Sequence, residues 1–251
     1  MKYLKKFENH QAYQAAESGL ILPNVSLCVQ ENEVHYNPYV DPYGGHEYVE
    51  IGGLKWATMN VGANSITDYG LYYQWGDTQG YTAAQCGSGE GQKYFGWEDY
   101  KYAANVQGYD ADMTKYNSTD EKTILEPSDD AATAAWGGNW RMPTKEEFAA
   151  LSAAVTTQWV NDYQGSGVYG RLMTDKTDNS KVLFFPACDN CYSGKGANYI
   201  NSFGYYWMAS LYTEYANYFK DAYRIYFGNA SVTWRESVSR YFGHPIRPVA
   251  D

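Results

Sequence analysis

Cys188-Asp189-Asn190-Cys191 places two thiols three positions apart, the closest thiol pair in the chain. Redox chemistry from such a pair needs one thiol at a helix N-terminus behind a strand, where the helix dipole favours thiolate. Pro186 and Asp189 predict a loop instead, so ordinary loop thiols are expected. A structural zinc would need two more ligands, with only Cys28, Cys86 or scattered histidines left to supply them. His10, His35, His46 and His244 show no metal-ligand spacing and no partner for a hydrolytic triad. The acidic run "DADMTKYNSTDE" lacks the glycine and closing glutamate spacing of an EF-hand loop. No enzyme activity, metal or cofactor is expected from these groups.

The remaining chemistry is that of binding. "GYYWMASLYTEYANYFKDAYRIYFG", residues 204–228, holds seven tyrosines interleaved with Asn, Ser, Thr and Asp. Tyrosine gives large amphipathic contact area for two side-chain torsions, and Ser and Asn add adaptable hydrogen bonding, as in antibody paratopes. Period-two alternation in "AYRIYFGNASVTWRES" predicts a hairpin about Gly228-Asn229. Tyr223, Ile225 and Phe227, continued by Val232 and Trp234, form its core face. Arg224, Tyr226, Ser231, Thr233 and Arg235 form its exposed face. Tyr212, Tyr215, Tyr218 and Asn229 join that surface from loops, and Tyr241, Phe242 and His244 border it from the closing strand. These are the candidate ligand-binding residues. The competing reading is that the tyrosines only cap a small sheet against water.

The elements that must hold this face are legible in part. At 251 residues, with 18% aromatics and 24 glycines, the chain reads as a loop-rich, sheet-containing globular protein. No apolar run nears the roughly 18 residues of a spanning helix. A net charge of −10 without a basic cluster argues against nucleic-acid binding. The start, MKYLKKFENH, lacks an apolar segment, so no secretory signal is expected. Residues 1–43 read as a leader: a helix over His10–Glu17 capped by Asn9, a strand-like run in "ILPNVSLCVQENEVHYNP", then the connector "NPYVDPYGG". From residue 44 to 251 the texture is that of one domain. Two short strands flank Gly52-Gly53. A short helix capped by Ser128 covers "DDAATAAW". A longer one has the Thr144/Glu147 capping box and an apolar stripe of Phe148, Leu151 and Val155. "KVLFFPA" is a buried strand. Trp56, Trp75, Trp136, Trp140, Trp207 and Phe227 are expected in or near the core. Arg141 and Arg247 are expected to be buried and structural, with Asp129 or Asp130 as partner of one.

Four blocks, "YVEIGGLKWATMNVGA", "DYGLYYQWGDT", "SDDAATAAWGGNWRMPTKEEFAAL" and "YYWMAS…AYRIYFGNASVTW…GHPIRPV", occur in the order found in the Fibrobacter succinogenes major paralogous domain family. The resemblance covers about residues 46–249. It implies an α+β, C-type-lectin-like fold of the formylglycine-generating-enzyme type, with small antiparallel sheets, a few helices and long irregular loops. The C-terminal pattern also resembles the variable proteins of diversity-generating retroelements, and the leader is similar to structural and tail-associated proteins of phages of gut bacteria. Together these imply a non-enzymatic receptor-binding or tail-associated protein. Its ligand would be a bacterial surface protein or glycan, and its leader would dock to a phage tail or larger assembly. Synthesis in the cytoplasm and assembly into a phage particle follow from that reading. The alternative is a cell-surface adhesin or glycan-binding protein of the same family. A formylglycine-generating type of enzyme is disfavoured, because residues 192–251 contain no Cys. Glu126-Pro127-Ser128 echoes the Glu-Pro-Asn of calcium-dependent lectins, but no Trp-Asn-Asp partner follows it.

Overall fold

The computed structural model describes the backbone of 26–30 and 33–37, residue 41, and residues 43–215 and 219–251. The helix expected over His10–Glu17 and the candidate Tyr218 lie outside them. The chain divides into two compact units, Met1–Gly45 and His46–Asp251. In the first, β1 (Ser26–Gln30) and β2 (Glu33–Asn37) pair antiparallel within the strand-like run.

The second unit is an α+β assembly of small antiparallel sheets and, among the described residues, two α-helices. β3 (Tyr48–Ile51) and β4 (Leu54–Ala57) form the hairpin expected from sequence. Gly52 and Gly53 both take positive φ, 63° and 84°, which is the conformation a two-residue hairpin turn demands. β5 (Ala103–Gln107) and β6 (Asp110–Met113) make a second small hairpin.

α1 (Ala131–Trp136) and α2 (Lys145–Ala154) follow. Asp130, rather than Ser128, caps α1, because Pro127–Asp129 is taken up by a separate 3-10 turn. At α2, Thr144 accepts from Glu147 N while Glu147 accepts from Thr144 N at 2.7 Å, completing the capping box. β7 (Val155–Val160), β8 (Gly170–Asp175) and β9 (Val182–Pro186) form one sheet, and β10 (Gly204–Leu211), β11 (Asp221–Phe227) and β12 (Val232–Ser239) another. β13 (Val249–Ala250) pairs with β4.

The β10–β12 sheet is covered on both faces for most of its length. Tyr206, Met208, Tyr223, Ile225 and Phe227 enter one core, where Phe148 of α2 meets Trp56 edge to face at 5.1 Å. Trp207, Ala209, Leu211 and Ala222 enter a second core with Trp75, Tyr116 and Ile246. Trp56, Trp75, Trp140, Trp207 and Phe227 are buried as the sequence predicts. Trp136 is half-buried, its ring stacked on His46 at 3.7 Å.

The two arginines differ. Arg247 is fully buried and donates to Asn60 Oδ1 and to the carbonyls of Ala57, Thr58 and Phe184. Arg141 is only partly buried, forked on Glu147 at 2.6 and 2.8 Å and bonded to Asp251 at 2.9 Å. The expected aspartate partners are engaged elsewhere. Asp129 gathers Lys101, Lys115 and the Tyr116 hydroxyl, and Asp130 accepts from Thr133 N and Met142 N.

Candidate binding cleft

β10, β11 and β12 set Tyr205 opposite Tyr226, Trp207 opposite Arg224, and Tyr226 opposite Thr233. These side chains share one face. Counted back from the Gly228 turn, strict alternation would set Arg224 opposite Arg235, two like charges across the ladder. The pairing instead shifts by one residue between Arg224 and Tyr226, so that Trp234 and Arg235 together oppose Ile225 and Arg224 pairs with Glu236. Repulsion becomes attraction: Arg224 Nε donates to Glu236 Oε2 at 2.9 Å.

Arg224 is therefore not the exposed residue that period two predicts. It is about 9% exposed, its guanidinium 4.5 Å over the Tyr205 ring and its Nη1 3.2 Å from His244 Nε2. Burial lowers its pKa, opposed by the Glu236 charge. The same bulge removes Arg235 from this face, and Arg235 acts electrostatically on Tyr223 of the opposite one. His244 does not border an exposed patch either. It is fully buried, 4.3 Å from the Trp207 ring and stacked at 5.6 Å on Tyr205.

Tyr212 and Tyr215 also separate from the expected surface. They cluster edge to face with each other, and Tyr212 likewise with Tyr223, whose hydroxyl donates to Glu214 Oε1 at 2.7 Å. Ser231, Thr233 and Asn229 are exposed at or beside the hairpin turn, and Tyr226 is half-buried there. Tyr241 is half-buried against Trp97 at 4.7 Å, and Phe242 stacks on Tyr192 at 4.8 Å.

A cleft of about 340 Å³ opens on the segment 189–203, and of the sequence candidates only Arg224 and Phe242 line it; Tyr226, Ser231, Thr233, Asn229 and Tyr241 do not. Tyr205, Arg224 and Phe242 line it from the sheet side, and Asp189, Tyr192 and Lys195 from that segment. The segment is fixed by its own polar atoms. Asp189, at φ 56°, donates its backbone N to Phe203 O and accepts Tyr199 N at 2.7 Å; burial raises its carboxyl pKa. Asn201 accepts Tyr169 N at 2.8 Å and donates to Gly167 O. Arg171 of β8 donates twice to Gly228 O, at 2.7 and 3.1 Å, pinning the hairpin turn. Sequence reasoning missed Tyr205 and the whole 189–203 wall. Its only signal was a mixture of Asp, Asn, Lys and Tyr without periodicity.

The thiols lie outside this chemistry. Cys188 joins the first core, whereas Cys191 packs with Cys86, Tyr72 and Phe95 in a smaller one. The turn at Asp189 thus sends the two thiols to different interiors. Burial pushes the Cys188 pKa up to about 12, which disfavours the nucleophilic thiolate.

Burial and the Arg224 charge hold the His244 pKa well below the ordinary imidazole value. In the unfolded chain it returns to about 6.5. Below that pH the unfolded state takes up a proton that the folded state refuses. This contribution to stability is whole above about pH 6.5 and falls as the pH drops, by about 1.4 kcal/mol per unit. Urea denaturation between pH 7 and 5 is expected to show that slope reduced in His244→Gln; equal slopes would refute a neutral buried imidazole.

No protein-family model, curated protein or solved structure matches the chain. Among the described residues no helix is long and apolar enough to cross a membrane. No group of three or more His, Cys, Asp or Glu is placed to hold a metal ion among them.

Proposed function

We propose that the chain is a non-enzymatic binding protein whose ligand enters the cleft between the β10–β12 sheet and the segment 189–203. The observation that carries this reading is the preorganised Arg224. Its guanidinium is already oriented by Glu236, His244 and Tyr205 at the wall of an aromatic cleft, so a ligand need not order it. Convergent polar groups in a concave aromatic surface are the usual build of a ligand site. The burial of Cys188 and Cys191 supports binding over thiol catalysis.

The α+β architecture is compatible with the C-type-lectin-like fold that the sequence resembles. On that resemblance the protein is a variable-type, receptor-binding or tail-associated protein of a phage or prophage, and its ligand lies on a bacterial surface.

Flow cytometry of gut bacterial isolates with the fluorescently labelled full chain tests the reading. Lys195→Ala, in the cleft wall, and Tyr226→Ala, which removes the ring stacked at 5.0 Å on the cleft residue Tyr205, are each expected to weaken cell binding by about fivefold or more, equivalent to about 1 kcal/mol. Lys195 is exposed, so its variant should melt as the parent does. Absence of cell binding by the parent, or unchanged binding by both variants, would refute it.

A further inference from the structure

We propose that this cleft is one half of a longer groove and that the groove takes a chain of neutral sugar rings; the inference rests on the binding reading above. A second cleft, of about 310 Å³, lies on the other side of Phe203, which lines both. Its walls come from different elements: Trp159 of β7, Tyr169 before β8, and Asn229 of the β11–β12 turn. None of these was read as a site from sequence except Asn229.

The two halves share one kind of chemistry. A pyranose presents apolar C–H faces and a rim of hydroxyls. Aromatic faces pack against the former, and groups that both donate and accept satisfy the latter. Phe203 stands between the clefts, with Trp159 on one side and Tyr205 on the other. The Trp159 indole is steadied by donation to Asn161 Oδ1 at 2.8 Å. Asn161, Asn198 and Asn229 are all exposed along the groove, and each amide carries two donors and an acceptor.

Other ligand classes fit less well. A polyanion would meet a chain of net charge −10 whose cleft arginine is already paired with Glu236. A protein partner of ordinary interface size needs about 800 Å² of surface around an apolar centre. Here two adjoining concavities sit at the small end of the roughly 300–1,000 Å³ range of small-molecule sites. Joined across Phe203, they suit a short linear saccharide.

The probe is a printed array of bacterial capsular and O-antigen polysaccharides with neutral hexose oligosaccharides of increasing length. Saturable binding to at least one polysaccharide is expected, and its fragments should gain at least about tenfold in affinity from one ring to a chain spanning both clefts. Trp159→Ala should abolish the gain with length while keeping single-ring binding. Asn229→Ala, at an exposed turn position, should reduce the gain without any risk to folding. Tyr109→Ala, 96% exposed and outside both clefts, should change nothing. In parallel, cells that bind the chain are treated with periodate, which cleaves sugar diols, or with proteinase; loss after periodate alone is expected. A silent array with cell binding intact, or loss after proteinase alone, overturns the saccharide and leaves the binding reading standing. A length gain unchanged in both Trp159→Ala and Asn229→Ala overturns the two-cleft groove. Cells that never bind, together with a silent array, refute both.

Discussion

Trp207→Ala is expected to destabilise the protein by about 3–5 kcal/mol, enough to unfold a domain of ordinary stability at 37 °C. The indole is fully buried in the second core, on the same sheet face as Arg224 and Tyr205. Its removal leaves a cavity that two cores and a sheet cannot readily close. It also takes away the Nε1 donor to Tyr73 O at 2.8 Å, leaving a buried carbonyl with one partner fewer. Trp207→Phe keeps much of the volume and should cost less. Urea titration of both variants checks this; a midpoint for Trp207→Ala equal to the parent's would mean that the sheet is not anchored through this side chain.

The second large effect is expected at Arg247→Met, also above about 3 kcal/mol. The guanidinium lies 4.5 Å over the Phe185 ring and spends its donors on four acceptors from two segments, 57–60 and β9. Methionine fills the space and satisfies none of them, and each orphaned buried acceptor costs about 1–3 kcal/mol. Burial draws the Arg247 pKa down to about 10, so the group still carries its charge at neutral pH. Lys should restore little, because one ammonium cannot reach acceptors spread around a planar fork. Thermal melts of Arg247→Met and Arg247→Lys decide the point: a Lys variant that melts like the parent would show that charge rather than geometry is used.

The sequence is most readable where a single local rule governs an element. The Thr144/Glu147 box marks the start of α2, the Gly52-Gly53 pair turns β3 into β4, and alternation places Tyr223, Ile225 and Phe227 in a core. Glu147 also holds Arg141 through a fork, a second duty that no local pattern announces. Alternation places Arg224 on the right face but cannot foresee its cover by Tyr205, His244 and Glu236. It misplaces Arg235, exposed as expected, because the bulge turns it off that face. It fails for His244 because a residue's exposure depends on what other segments lay over it, here Tyr205 and Trp207. The wall from Asp189 to Phe203 is irregular backbone with left-handed turns at Asp189, Ser193 and Asn201, where side-chain hydrogen bonds replace a ladder. Such a segment carries no period to read. Of the aromatic residues that line the clefts, only Phe242, outside the strands, is among the sequence candidates; Tyr205 of β10 and Trp159 of β7 are not.

The bulge between Arg224 and Tyr226 also sets what kinds of change this hairpin can absorb. The backbone ladder holds whichever side chains occur at Thr233, Ser231 or Asn229, all exposed. Exchanging one letter for another there alters the surface and little else. Changing the number of letters is different. Losing one residue from β12 before Glu236 would restore uninterrupted pairing from the turn, with Glu236 still facing Arg224 but Trp234 or Arg235 gone and Ile225 opposed by one neighbour. Adding one would push Glu236 out of step and bring its neighbour opposite Arg224, stranding a buried cation. The hairpin is thus a surface open to respelling and closed to resizing, and its descendants should differ at its tip in identity while keeping its length.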